Sequence, residues 1–315
     1  MDETPPLPGI RIGHWQDETG ITGCTVLLPS AGAMGAGVSI GGGAPGTRET
    51  ALLTPTATVS DIHALLLTGG SAFGLDAASG VMSYLRERDI GFATPVARVP
   101  IVPAAVLFDL DIGDPTAFPH SFAGAAACAA ASEGERREGC VGAGYGACVG
   151  RVLGPEGRTK GGLGLASRTL VSGVTLGALA VVNAVGDVIG PDGAVIAGTR
   201  RDGVYAGSTA LLLGHGPTAA APGVNTTLVA VVTDARMDKT ALTRLAQQAQ
   251  DGLARAIAPV HTAYDGDAVF ALSTGSREAD PVVLGVLAVE VAAAAIRRAV
   301  STAVSTGGVP AALDL

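Results

Sequence analysis

The chain has 315 residues, 48% of them hydrophobic and only 15% charged, with a formal net charge of −8. Such a chain can bury a sizeable core, and its acidic balance, with no basic run longer than a pair of arginines, argues against nucleic acid or an anionic membrane surface as partner. The 46 glycines follow no triplet period and are interleaved with Val, Ile, Leu and Ala, so they indicate tight turns in a packed α/β protein and not collagen or disorder.

The amino-terminal stretch MDETPPLPGIRIGHW lacks the basic flank and apolar segment of a secretory signal. Cys24, Cys128, Cys140 and Cys148 show no C-x-x-C spacing and read as reduced thiols. A soluble cytoplasmic protein with no metal and no cofactor is expected. Residues 61–92 read as strand, glycine turn and helix. Ile62 to Leu67 is a short apolar run, and from Phe73 to Arg88 the residues Leu75, Ala78, Met82 and Leu85 recur at helical spacing. Ser71 in GGSAFG fails the nucleophile-elbow spacing, because Phe73 stands where G-x-S-x-G needs glycine, although five scattered histidines leave a Ser71 hydrolase open as an alternative. It reads as a helix cap.

Residues 118–139 suggest an alanine-rich helix. GAGYGA (142–147) matches a dinucleotide fingerprint, but no long helix and no suitably placed acid follow it. Residues 140–189 read as strands joined by glycine turns. The uncharged run 169–186 approaches membrane-spanning length, yet its glycines and Asn183 favour two paired strands.

In APGVNTTLVAVVT (221–233) a Pro-Gly turn leads through Asn225, Thr226 and Thr227 into a β-branched strand. The triplet is a glycosylation sequon, which is idle in a chain that is never secreted. Asp238 is placed to cap a helix from Lys239 to Ile257. Asp265-Gly266-Asp267 leads into the alternating strand 267–275 and lacks the further acids of a calcium loop. A long apolar helix spans Leu284 to Val304. Mixed strands with helices at both ends favour two packed sheets covered by helices over an alternating doubly wound sheet.

Taken jointly, GGGAPGTRET (41–50), LLTGGSAFGLDAASGV (66–81), VGAGYGACVGR (141–151), KGGLGLAS (160–167), LAVVNAVGDV (179–188), GVNTTL (223–228) and HTAYDGD (261–267) resemble the DmpA-type aminopeptidase family, and within it the nylon-oligomer hydrolases. The resemblance runs nearly end to end. It implies a four-layer αββα sandwich, similar to N-terminal nucleophile hydrolases but differently connected. It also implies one catalytic domain, 1–315, that cuts itself into 1–225 and 226–315.

On that resemblance the scissile bond is Asn225–Thr226 and Thr226 is the nucleophile. Asn183 stabilises the oxyanion, and Asp265 and Asp267 orient the nucleophile, one acting directly and the other from behind it, with the sequence leaving open which is which. Lys160, Arg151 and Phe108 are expected near the substrate. Arg151 stands where the family has lysine, and being permanently charged it can act only electrostatically. Phe108 replaces a tyrosine, so a hydroxyl donor is missing.

The chemistry explains the cut. Threonine is a poor nucleophile, and a free α-amino group, with a pKa of about 7.7–8.0, can serve as its base. The first cut must rely on other groups, with the turn through Pro222, Gly223 and Val224 pressing the Asn225 carbonyl towards the Thr226 hydroxyl. Expected substrates are small linear amides: ω-amino-acid oligomers, short peptides, or β- or D-amino-acid peptides. Acyl transfer and a non-catalytic binding relative are the alternatives. A homotetramer of cleaved protomers is expected.

Overall fold

The computed structural model describes residues 6–216 and 225–315. Eleven strands form its two main sheets: β1 (Ile10–Asp17), β2 (Thr22–Pro29), β3 (Met34–Ile40), β4 (Thr47–Arg48), β5 (Asp61–Ile62), β6 (Leu65–Thr68), β7 (Ala104–Val106), β8 (Gly162–Thr169), β9 (Thr175–Asn183), β10 (Thr226–Ala235) and β11 (Ala268–Arg277). One sheet has the order β1-β2-β6-β7-β4, the other β8-β9-β10-β11-β3-β5.

Strand alternation explains the layers. On β10 and β11, Leu228, Ala230, Val232, Phe270 and Leu272 point between the sheets, where they meet Leu27, Leu65 and Leu67. The intervening Val229, Val231, Val269 and Ala271 point the other way, onto helices α4 (Lys239–Ala256) and α5 (Pro281–Ser301). Across the molecule, Val26 and Leu66 pack under α1 (Ala77–Arg86) and α2 (Ser121–Ala129). The result is four layers, αββα. A fifth helix, α3 (Ser208–His215), is tied at its start by Asp187, whose carboxylate accepts from the Ser208 N–H at 2.5 Å.

Small residues set how closely the layers approach. A Cβ at Gly37 of β3 would lie 2.4 Å from the Thr243 nitrogen on α4, and one at Gly164 of β8 would lie 2.1 Å from the Ala295 carbonyl on α5. Phe270 fills the space between the sheets and is fully buried. Truncating a core side chain of that size typically costs about 3–5 kcal/mol.

Asp238 caps α4 as expected, its carboxylate accepting from the Ala241 N–H at 2.8 Å. Ser71 does not cap a helix. It has φ 52 after Gly70 at φ 81, and the chain winds through a 3₁₀ segment, Ser71–Asp76, before α1 begins at Ala77. The run 169–186 contains one strand, β9, and its antiparallel partner is the preceding β8. The hairpin closes at Gly173, whose positive φ of 82 suits the turn. The turn expected through Pro222, Gly223 and Val224 lies outside the described residues. No helix among the described residues is long and apolar enough to cross a membrane.

Candidate active site

Thr226 opens β10, Asn183 closes β9, and the two are direct partners across this antiparallel pair. Directly opposed residues share a face. Leu228 and Val181, two places along each strand, point between the sheets; so, by alternation, do Thr226 and Asn183. Both are buried.

β10 and β11 run parallel, joined through α4. Parallel neighbours bring their leading residues side by side, and Asn225 accordingly bridges Asp265. The Gly266 N–H donates to the Asn225 carbonyl at 2.8 Å, and the Thr226 hydroxyl donates to the same oxygen at 2.5 Å. A Cβ at position 266 would come within 2.7 Å of Thr226 Oγ1 and 2.8 Å of the Ala44 carbonyl, so glycine is what lets this amide approach.

Asn183 is oriented by its neighbours. Its Oδ1 accepts from the Cys148 N–H at 2.9 Å and from Arg151 Nη1 at 3.1 Å. Both partners are donors, so the amide oxygen must face them and the NH2 must face the other way. One of its N–H groups donates to the Phe108 carbonyl at 2.9 Å. Behind Asn183, the buried Arg151 pairs with Asp111 at 2.5 Å, and Arg158 reaches the same carboxylate oxygen at 2.9 Å. Two guanidiniums on one carboxylate leave a net positive charge at Asn183's back, which polarises its NH2 as a donor.

The two aspartates divide their work. Asp267 Oδ1 accepts from the Thr227 N–H at 2.6 Å, and its Oδ2 accepts from the His261 main-chain N–H at 3.1 Å and meets His261 Nδ1 at 2.9 Å. Asp265 is bound by the Thr262 hydroxyl (2.5 Å) and N–H (3.0 Å) and by the Val185 N–H (3.3 Å). Burial, and then the charge of Asp267, push the Asp265 carboxyl up to about 6 against those hydrogen bonds. Asp267 thus braces the residue after Thr226, and Asp265 the turn after Asn183. β11 begins only at Ala268, so both aspartates lie in the turn before it. Neither carboxylate hydrogen-bonds Thr226 Oγ1.

The sequence pattern of peptidase family S58 matches residues 6–311. The chain belongs to peptidase family S58. An uncharacterized aminopeptidase of Mycobacterium leprae is 42% identical over 352 aligned positions, which take in 98% of this chain and 93% of that protein. A 6-aminohexanoate-oligomer endohydrolase of Agromyces sp. is 35% identical over 276 positions, covering 85% of this chain and 74% of the relative. The solved L-aminopeptidase D-Ala-esterase/amidase of Ochrobactrum anthropi, described as a variant of the Ntn hydrolase fold, superposes with a TM-score of 0.73 at 20% identity over 98% of this chain and 90% of its own. This S58 peptidase is therefore an enzyme that hydrolyses peptide or amide bonds, and its αββα sandwich is of the Ntn-hydrolase variant type.

Of the residues singled out by sequence, the fold gathers Asn225, Thr226, Asn183, Asp265, Asp267 and Arg151, together with the carbonyl of Phe108. Lys160 is different. It is fully buried, and its ammonium donates to the Tyr145 (2.8 Å) and Ala147 (2.7 Å) carbonyls. In this geometry it braces the turn that presents the Cys148 N–H to Asn183, with its ammonium held on main-chain carbonyls. Lys160→Met should therefore lower unfolding stability by about 1–3 kcal/mol, the usual cost of orphaned buried acceptors, with little change in KM. Urea unfolding and steady-state kinetics separate this from a substrate contact, which would move KM and leave stability alone.

Sequence reasoning missed the Gly266 and Cys148 N–H groups, Asp111, Arg158 and His261. The glycine between two aspartates was the one local signal. Arg158 lies 47 positions from Asp111, and no spacing announces that pair. Among the described residues, no group of three or more His, Cys, Asp or Glu side chains is placed to hold a metal ion.

Proposed function

We propose that this S58 peptidase matures by cutting its own Asn225–Thr226 bond and then hydrolyses small linear amides through an acyl-threonine intermediate. The observation that carries this reading is the double contact on the Asn225 carbonyl: the Thr226 hydroxyl at 2.5 Å and the Gly266 N–H at 2.8 Å. The first is the attacking group folded back on the peptide it would cleave. The second is a donor aimed at the oxygen on which negative charge would develop.

In the cut, Thr226 Oγ1 attacks the Asn225 carbonyl carbon and its proton passes through one intervening water to the aspartate pair, since neither carboxylate touches Oγ1 directly. The C–N bond breaks as the nitrogen takes up a proton, leaving an ester. Water hydrolyses the ester, giving a carboxylate on Asn225 and a free amine on Thr226. In turnover that amine takes the hydroxyl proton. Oγ1 attacks the substrate carbonyl, the Asn183 NH2 donates to the oxyanion, and protonated amine leaves. Water then releases the acyl group.

Relatives named as aminopeptidases and as 6-aminohexanoate-oligomer endohydrolases support two substrate readings: short peptides cut at the amino end, and ω-amino-acid oligomers cut internally. A panel of aminoacyl p-nitroanilides beside a linear 6-aminohexanoate oligomer decides between them. Release of single residues supports the first, internal fragments the second, and no turnover of any amide contradicts the proposal. We further propose a cytoplasmic homo-oligomer. The exposed strip of Val282, Val283 and Val286 on α5 supports burial against a second copy.

Asp265 also predicts a pH dependence. A carboxyl raised to about 6 is protonated in mild acid, where it can neither take a proton nor hold the Val185 turn as an anion. Self-cleavage should rise with pH through about 6, measured as fraction cut against time after cell-free synthesis. A rate independent of pH across that range contradicts the role given to the pair.

A further inference from the structure

His261 precedes β11 and has φ 54, a left-handed conformation uncommon outside glycine, which histidine, like Asn and Asp, enters more readily than most side chains. What the conformation achieves is a double grip on one atom: the main-chain N–H and the ring Nδ1 of His261 both meet Asp267 Oδ2, at 3.1 and 2.9 Å. The other oxygen of that carboxylate holds the Thr227 N–H at 2.6 Å. A single carboxylate therefore links His261 to the residue next to Thr226.

The surroundings are short of positive charge. The ring packs on the backbone of Gly41, where a Cβ would lie 2.8 Å from Nδ1. Ring Nε2 is buried and makes no full hydrogen bond among the described residues, though the main-chain carbonyl of Gln250 on α4 faces the ring. The charged groups that act on it are Asp267 and Asp265, both negative and both almost wholly buried. Burial pulls the imidazole pKa down, but the hydrogen bond the ring donates to Asp267 and the charges of both aspartates outweigh it, and the net shift is upward.

We propose that His261 is a positioning residue for self-cleavage and turnover: it fixes Asp267 on the Thr227 amide and, as an imidazolium, supplies the positive charge that lets two buried aspartates be ionised together. This rests on the reading of Thr226 as nucleophile. Before the cut no α-amino group exists at Thr226, so the imidazolium is the cation at hand. After the cut the new ammonium shares that task.

His261→Asn isolates the charge. Asparagine tolerates the left-handed backbone and offers an N–H to Asp267, but it cannot be protonated. We expect H261N to fold and to cut at the same bond. Without the cation, the midpoint of the rising limb of self-cleavage should move up by about one pH unit, making the cut roughly fivefold slower at about pH 6. A variant with the wild-type midpoint and rate overturns the proposal for His261 alone. A wild-type chain that is never cut before Thr226 overturns the nucleophile reading instead. Should H261N fail to fold, histidine NMR titration of the uncut T226A chain and of T226A/D267N answers the same question. The His261 midpoint should fall when Asp267 is neutralised, and an unchanged midpoint rejects the proposal.

Discussion

Thr226→Ala is expected to remain one chain of 315 residues and to hydrolyse no amide at a measurable rate. The hydroxyl that contacts the Asn225 carbonyl at 2.5 Å is the group proposed both to cut the chain and to carry the acyl intermediate. Removing it leaves neither step a nucleophile. Loss of the nucleophile in a hydrolase of this logic costs on the order of 10⁶ in kcat. The fold should hold, because the Gly266 N–H and the pairing of β10 with β9 and β11 do not depend on the side chain. A thermal melt close to wild type beside a single band on a denaturing gel is the expected result. Thr226→Ser, which keeps the hydroxyl, should restore both cutting and activity.

Asn183 should give the second largest effect. Losing one oxyanion donor typically costs about 10²–10³ in rate. Asn183→Ala would also strip the Cys148 N–H and Arg151 of their acceptor, mixing a stability loss with the catalytic one. Asn183→Asp separates the two. A carboxylate still accepts from both donors and fills the same space, but it has no N–H to offer and sets negative charge against an oxyanion. Its kcat should fall at least as far as that of the alanine variant while its melting temperature falls less. If Asn183→Asp keeps full activity, the oxyanion role is wrong. The Arg151–Asp111–Arg158 cluster explains why arginine can stand where relatives of this type were expected to carry lysine: the position orients and polarises Asn183, and needs no proton transfer.

How much was legible in the sequence follows from which interactions are local. The Asp238 cap, the alternation of β10 and β11 and the long helix α5 all depend on near neighbours, and they stand within a few residues of where the pattern put them. The start of α1 was misjudged because Gly70 and Ser71 both take positive φ, which delays the regular helix to Ala77. The boundaries of β8 and β9 slipped because a strand of small residues and a glycine turn look alike until a partner is known. The candidate site residues came from the resemblance of motifs, and their contacts with one another came from the fold. That Asn225 lies beside Asp265 is a consequence of parallel pairing between strands separated by α4. The burial of Lys160 is equally non-local: a lysine in a glycine-rich stretch looks accessible until the Tyr145–Ala147 turn closes over it.

The central claim is that the working enzyme begins at Thr226. Intact-mass analysis of purified, active protein, joined to amino-terminal sequencing of each species, tests it most directly. The expected result is two tightly associated chains, 1–225 and 226–315, the shorter opening Thr-Thr-Leu-Val, with activity rising in step with their appearance. Full activity from an unbroken chain, or a new terminus at any other residue, would contradict the account.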